Sequence, residues 1–313
     1  MTRDELLVRG DDRLARAKQV AYVLAGRLDA AHHLGHDVHS RVVPQPGEVG
    51  REHPVRGRER PLLLGIADER RDDAEADPTD DVSGADAAAK MAILATVAFG
   101  SRVRLEDVER RGIEEIEPAH VAAAAELGMV VRLVGIATLE DGAVDVRVQP
   151  ALVERSHPLA AVDGAFNAVM LQGDSIREIT LEGPGAGGIE TASAVVADLV
   201  SVVGTAGTGF LQNDACWREL ERLPPSAWRA PFYVHLEVAD RPGVLAHAAS
   251  RLAAHEVSVA QLVQRLHEGE ASLDLVLHET ALGSLTDALR EIAAFPEVLR
   301  PPFVLPVITE RPL

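Results

Sequence analysis

Cysteine is almost missing: Cys216 stands alone among 313 residues. That excludes an intrachain disulfide and any cysteine-rich metal site, and it suits a reducing compartment. Aromatic residues make up 3% against 47% hydrophobic residues, so any core must be packed from Ala, Val and Leu. Positive charge is also short. A formal net charge of -18 argues against nucleic acid or an anionic membrane surface as a partner, since both reward basic patches. No apolar run approaches the roughly 20 residues needed to span a bilayer. The opening MTRDELLVRGDD lacks the basic-then-apolar layout of a signal peptide, so a soluble, cytoplasmic protein is expected. The length allows two domains with a core each. The scarcest useful residue is lysine: among 31 basic residues only Lys18 and Lys90 are not arginine.

One of those two lysines sits in the stretch AEADPTDDVSGADAAAK, residues 74–90. Asp77-Pro78 and Ser83-Gly84 are turn and cap chemistry, and AAAKMAILATVAF after them reads as a helix ending at Gly100. Asp86 and Lys90 then share a helix face. Such a pair can be a plain solvated ion pair worth about 0.2–0.5 kcal/mol. The chain's near-exclusive use of arginine elsewhere points further. Arginine keeps its proton near neutral pH, whereas a lysine held by a carboxylate can act as an acid, so Lys90 is a candidate proton donor.

The run Asp77-Pro78, Asp81-Val82, Gly84, Asp86, Lys90, at these spacings, resembles the signature of the homoserine dehydrogenases. The resemblance implies hydride transfer between NADPH or NADH and aspartate semialdehyde, giving L-homoserine, on the branch leading to threonine and methionine. It implies that Lys90 protonates the nascent alkoxide, that Asp86 positions substrate and lysine, and that Glu75 and Asp81 receive the substrate ammonium. Paired carboxylates are the chemistry a cationic amine requires.

From Lys90 onward the pattern is regular. RLEDVERRGI and EPAHVAAAAELG read as two short helices, the second starting at Glu117-Pro118 and stopping at Gly128. MVVRLVGIATL and AVDVRVQPALV read as strands of a hairpin turning at Asp141-Gly142. A short helix and two strands turning at Gly173-Asp174 follow. The sum is α+β, a mixed-sheet substrate domain with covering helices, assigned to residues 74–203. Gly183, Gly185 and Gly188 formally satisfy GxGxxG, but the helix after them, TASAVVADLVSVV, leads into GTAGTGFLQND rather than a second parallel strand, so no Rossmann unit is assigned. The loop is similar to the family's segment beside the nicotinamide, which points to Gly185, Gly187 and Gly188 as cofactor-binding. That helix is apolar nearly all round and expects burial on both sides; in the family it packs against the nucleotide domain.

Residues 204–230 read as a linker. Beyond it, FYVHLEV, GVLAHAASRLAAH, VSVAQLVQRL, ASLDLVLH, LGSLTDALREIAAF and FVLPVI follow the order βαββαβ over residues 231–313. With the DRPGVL turn this resembles an ACT domain, a ferredoxin-like module. The resemblance implies a small amino-acid effector, threonine foremost, near Asp240, Arg241, Pro242, Gly243 and Val244, and feedback through a homodimer or higher homo-oligomer. The same order of elements can also serve purely as an assembly platform.

Residues 1–73 differ from the rest. They carry the charged runs RGRER and DERRDD and offer one helix by periodicity, roughly Asp11 to Ala31. His32, His33, His36 and His39 lack the framing carboxylates or cysteines of a metal site, and no metal is expected. Family members carry a complete dinucleotide-binding domain before Ala74, and its pattern is not found here. The expectation is therefore a loosely attached or disordered segment, whether genuine or the product of a shifted reading frame. A chain inactive by itself is expected too, with a non-enzymatic amino-acid-binding or assembly protein as the alternative.

Overall fold

The computed structural model describes residues 19–24, 79–162, 166–173, 177–185, 187–204, 219–267 and 269–309. The first described element is a strand, β1 (Gln19–Leu24). It pairs antiparallel on both edges, with Tyr22 opposite Ile136 on one neighbour and Met170 on the other. For these six residues this corrects both the helix expected across Asp11 to Ala31 and the expectation of a loose segment. QVAYVL is rich in β-branched and aromatic residues, and two open ladders satisfy its backbone; together these override a helical spacing. The remainder of residues 1–73, with its histidine cluster, lies outside the described residues.

The chain continues with α1 (Thr79–Val82) and α2 (Ala85–Phe99), the latter closed by Gly100 in the left-handed region as expected. RLEDVERRGI is not a helix. It forms a 3-10 turn at Leu105–Asp107 and a two-residue strand, β2 (Glu109–Arg110). The Asp107 carboxylate accepts from the Arg104 amide at 2.8 Å and from Arg222 Nη2 at 2.8 Å, and these bonds close the turn tightly. Then come α3 (Pro118–Glu126) and the long hairpin of β3 (Met129–Glu140) and β4 (Ala143–Glu154), whose turn residues Asp141 and Gly142 both have positive φ, 51° and 80°. A two-residue turn of that conformation matches the twist of the strands it joins. The edge pair β5 (Phe166–Gly173) and β6 (Arg177–Pro184) leads into α4 (Gly188–Gly204).

The second half opens with β7 (Glu221–Arg222) and β8 (Arg229–Ala230). Part of the expected linker is thus built into the core: Trp228 is buried, with the Arg147 guanidinium 3.8 Å from its ring centroid. The six elements β9 (Phe232–Ala239), α5 (Val244–Ala254), β10 (Val259–His267), β11 (Glu270–Leu277), α6 (Leu282–Ala293) and β13 (Phe303–Ile308) follow in the expected βαββαβ order, with a small strand β12 (Thr280–Ala281) before α6.

The strand order is β10-β11-β9-β13-β4-β3-β1-β5-β6, so the two halves share one sheet. The joint is parallel, Val307 opposite Leu152 and Ile308 opposite Val153. The first half's helices α2 and α3 pack on one face, over Leu133, Ala137, Val146, Val148 and Leu152. Phe232, Val234, Leu273 and Leu275 point to the other face, where Leu252, Leu285 and Ile292 of α5 and α6 cover them. Tyr233, Val276, Leu305 and Val307 are the second half's buried contribution to the first core, so the bare face of the second half is covered by the first.

Candidate active site

The turn from Thr79 to Lys90 is held from below by close packing. Gly84 caps α2 at φ 73°, and a Cβ placed on it would sit 3.2 Å from Val148 Cγ1, so both backbone conformation and space call for glycine there. Met91, fully buried, lies against Gly135 of β3, where an added Cβ would collide with the Met91 side chain. The helix is thereby seated on the sheet with the neighbouring Lys90 facing out. Lys90 Nζ donates to Asp86 Oδ2 at 2.5 Å, and the two side chains are 45% and 40% exposed, which leaves both open to a ligand. Asp86 lies in the first turn of α2, where the helix dipole favours a carboxylate. Asp81, also exposed, is on α1. The next stripe of α2 is apolar and uncovered, Ile93 at 66% and Val97 at 49% exposure.

The structure therefore brings Asp81, Asp86 and Lys90 onto one continuous turn and helix. Glu75 lies outside the described residues. Gly185 and Gly187 belong to the turn after the edge strand β6, Gly187 at φ 138°, and Gly188 opens α4. The strand before this loop is antiparallel to β5, which agrees with leaving GxGxxG unassigned as a Rossmann unit. Every residue of α4 is exposed, Ile189 at 83% and Val203 at 79%, so the described residues leave this apolar helix uncovered. Asp240 to Val244 form a third group at the end of β9. Gly243 caps α5 at φ 94°, the Asp240 amide donates to the Gly269 carbonyl at 3.1 Å, and Arg241 Nη1 is 3.6 Å from Glu297 Oε1. Among the described residues no group of three or more His, Cys, Asp or Glu is placed to hold a metal, and no helix is long and apolar enough to cross a membrane.

A further polar cluster escaped the sequence reading. Asp274 on β11 is wholly buried. Its Oδ1 accepts from Tyr233 Oη at 2.5 Å and lies 2.8 Å from His235 Nδ1, while its Oδ2 pairs with Arg265. Arg265 also reaches out of the second half to Glu126 at the end of α3, Nη2 to Oε2 at 2.5 Å. His120 of α3 stacks on Phe303 at 3.8 Å and meets His235 edge-on at 5.3 Å. Burial pushes the Asp274 carboxyl upward, but hydrogen bonds from His235 and Tyr233, with the His235 and Arg265 charges, outweigh it and hold the group below the usual carboxylate range. Burial, together with Asp274, raises the Tyr233 phenol. The one signal in the sequence is the acid within ASLDLVLH, an otherwise apolar strand.

His120 is pushed down to about 4, first by burial and then by the neighbouring His235 charge; Glu117 and Asp274 pull it up and Arg111 down, by less. The folded state thus holds a neutral ring, with Nδ1 accepting the Glu117 amide at 3.0 Å. The unfolded chain binds the extra proton between pH about 6.5 and about 4, so stability falls as pH drops through that window, by at most about 3 kcal/mol. Asp274 acts only below it, since its contribution is lost as pH falls past the ordinary carboxylate range. Urea midpoints at pH 7 and pH 4.5 should therefore differ more in the wild-type chain than in His120→Leu; equal differences would remove His120 as the cause.

Comparison with known proteins places these elements. A homoserine dehydrogenase family profile matches residues 67–200 and an ACT domain profile matches residues 233–297. A curated homoserine dehydrogenase of Mycobacterium tuberculosis is 42% identical over 238 residues, covering 70% of this chain and 53% of that protein. One of Bacillus subtilis is 37% identical over 224 residues, covering 70% and 52%. The crystal structure of a homoserine dehydrogenase from Thiobacillus denitrificans superposes with a TM-score of 0.71 at 34% identity, covering 78% of this chain and 57% of that one. One from S. aureus gives 0.57 at 28% identity, covering 80% and 59%. The chain spans about half the length of the curated relatives it matches.

Proposed function

Because the chain belongs to the homoserine dehydrogenase family over residues 67–200 and to the ACT domain family over residues 233–297, we propose that it provides the substrate half of an NAD(P)H-dependent interconversion of L-aspartate 4-semialdehyde and L-homoserine. The observation that carries the reading is the open Asp86–Lys90 pair at 2.5 Å on a helix start beside Asp81. NADPH or NADH, when bound, supplies the hydride that reduces the aldehyde carbon. The chain's own residues do the rest. Lys90, as the ammonium, donates its proton to the oxygen on which negative charge develops, and takes it back in the reverse direction. Asp86 fixes the amine by one short bond and keeps it aimed. Asp81, with Glu75, receives the substrate ammonium, which places the reacting carbon at a set distance from Lys90.

The loop Gly185 to Gly188 fits a cofactor neighbour. It is largely exposed, carries no side chain at three positions, and opens a 17-residue helix whose first amides favour an anionic group. The uncovered flanks of α4 fit the same reading, since a unit holding the rest of the nucleotide would bury them. The ACT half is proposed to bind a small amino acid, threonine first, at Asp240 to Val244, and to assemble as a homodimer or higher homo-oligomer.

Calorimetric titration of the full chain with L-homoserine tests the substrate reading, alongside L-homoserine-dependent reduction of NADP or NAD. Homoserine binding that weakens about tenfold or more in Asp81→Asn and Asp86→Asn supports it, with or without turnover. Neither binding nor turnover would leave the alternative, an assembly or amino-acid-binding protein. L-threonine in the same calorimeter separates those two: heat that vanishes in Asp240→Ala assigns the turn to an effector, and no heat reduces the module to assembly.

A further inference from the structure

Arg111 stands where β2 leaves the edge of β4. Its amide donates to the Val148 carbonyl at 2.8 Å, and its side chain turns toward the ACT sheet. Nη1 donates to the Val304 carbonyl at 2.8 Å, Nη2 donates to Glu115 Oε2 at 2.6 Å, and the guanidinium lies 5.1 Å from the Phe303 ring centroid. Phe303 is opposite His235 on β9, and His235 is opposite Asp274 on β11. One row of side chains thus crosses the ACT sheet and ends on Arg111. The next two residues face the other way. The Ile113 amide donates to the Val82 carbonyl at 3.0 Å, and a Cβ on Gly112 would lie 2.5 Å from that same oxygen. Val82 ends α1 and stands two residues from Gly84, where an added Cβ would lie 3.8 Å from Arg110 Cγ.

We propose that Arg111 is a positioning residue for the Asp81–Asp86–Lys90 turn, and that Arg110 to Ile113 carries displacements of the ACT sheet to it. The proposal rests on the reading of that turn as the substrate site. α1 is a single helical turn with no buried residue, so its place is set by the few bonds it makes, among them the Val82 carbonyl to Ile113. The ACT side of the segment is stiff, because the Asp274 cluster ties β9, β10 and β11 to one another and to α3. A movement of Val304 and Phe303 therefore passes into Arg111 rather than dissipating in the sheet, and Gly112 leaves no slack before Val82. Coupling of this kind needs a physically contiguous element with contacts at both ends, and these four residues are one.

The scarcity of lysine supplies the probe. Reductive methylation of the full chain with a carbon-13 label marks only Lys18, Lys90 and the terminal amine, and keeps the positive charge. Loss of a signal in Lys90→Arg assigns it. Arg111→Ala and Phe303→Leu, neither of which removes a contact of Lys90, are expected to displace the Lys90 signal by more than its linewidth, and Gly112→Ala to do the same from the Val82 side. Arg290→Ala, which removes an exposed pair with Asp287, should leave it in place. Hydrogen exchange of residues 79–90 should quicken about tenfold in Arg111→Ala. If Arg111→Ala does not fold, Phe303→Leu and Arg111→Lys carry the test. A Lys90 signal unmoved in the folded variants, or moved equally by Arg290→Ala, overturns the proposal. Displacement of the signal in a chain that binds no homoserine keeps the coupling and discards the substrate reading instead.

Discussion

Alanine at Asp274 is expected to cost the folded chain about 3–5 kcal/mol, read as a lowered urea midpoint at pH 7. The side chain is fully buried and its two oxygens hold three partners, Tyr233, His235 and Arg265. Removing it does more than subtract hydrogen bonds. It leaves the Arg265 charge with Glu126 alone, and it strands a phenol and an imidazole between the two halves, where water reaches them poorly. Asp274→Asn keeps an acceptor and should lose less, while Asp274→Leu combined with Arg265→Met should recover only the part due to the unpaired Arg265 charge, because Tyr233 and His235 still lack their acceptor. A loss under about 1 kcal/mol for alanine would mean that the cluster contributes little to stability.

Alanine at Lys90 is expected to lower turnover of L-homoserine by about 10²–10⁴-fold, in the chain alone or with a nucleotide-binding unit supplied, while homoserine binding changes little. The separation follows from the geometry. Lys90 contacts Asp86 and faces outward, so its loss removes the proton route without unseating α2, which Met91 holds on Gly135. Lys90→Arg should not restore the rate, since a guanidinium keeps its proton near neutral pH. Full activity in Lys90→Ala would transfer the proton role to another group.

Much of the fold could be read from local chemistry. Asp141-Gly142 needs no partner to announce a hairpin, Gly100 and Gly128 end their helices at positive φ, and the six elements of the second half alternate their periods in plain order. That Asp81, Asp86 and Lys90 share one turn and helix could be read for the same reason, since they are neighbours along the chain. What was hidden depends on distant contacts. β1 is a strand because β3 and β5 pair with it on either side, and its β-branched and aromatic residues do not by themselves decide it against the helical spacing around them. RLEDVERRGI has helical spacing, yet Asp107 is drawn to Arg222 and Arg111 to Val304, 115 and 193 residues away. Asp274 looks like a misplaced acid in an apolar strand until Arg265, Tyr233 and His235 are brought around it.

The parallel seam between β13 and β4 also orders events during synthesis. The ribosome delivers β4 long before β13, and β9 lies between them in time, so both must wait with an unpaired edge until Phe303 to Ile308 emerge. A nascent chain halted before Phe303 would present two open ladders at once, with the apolar side chains of Leu152, Val153 and Val234 alongside, which is the template on which other chains add strands. Among the described residues β13 is the strand that takes both edges out of circulation. A chain broken off within this short segment should therefore be punished in the cell as aggregation, because both edges stay open.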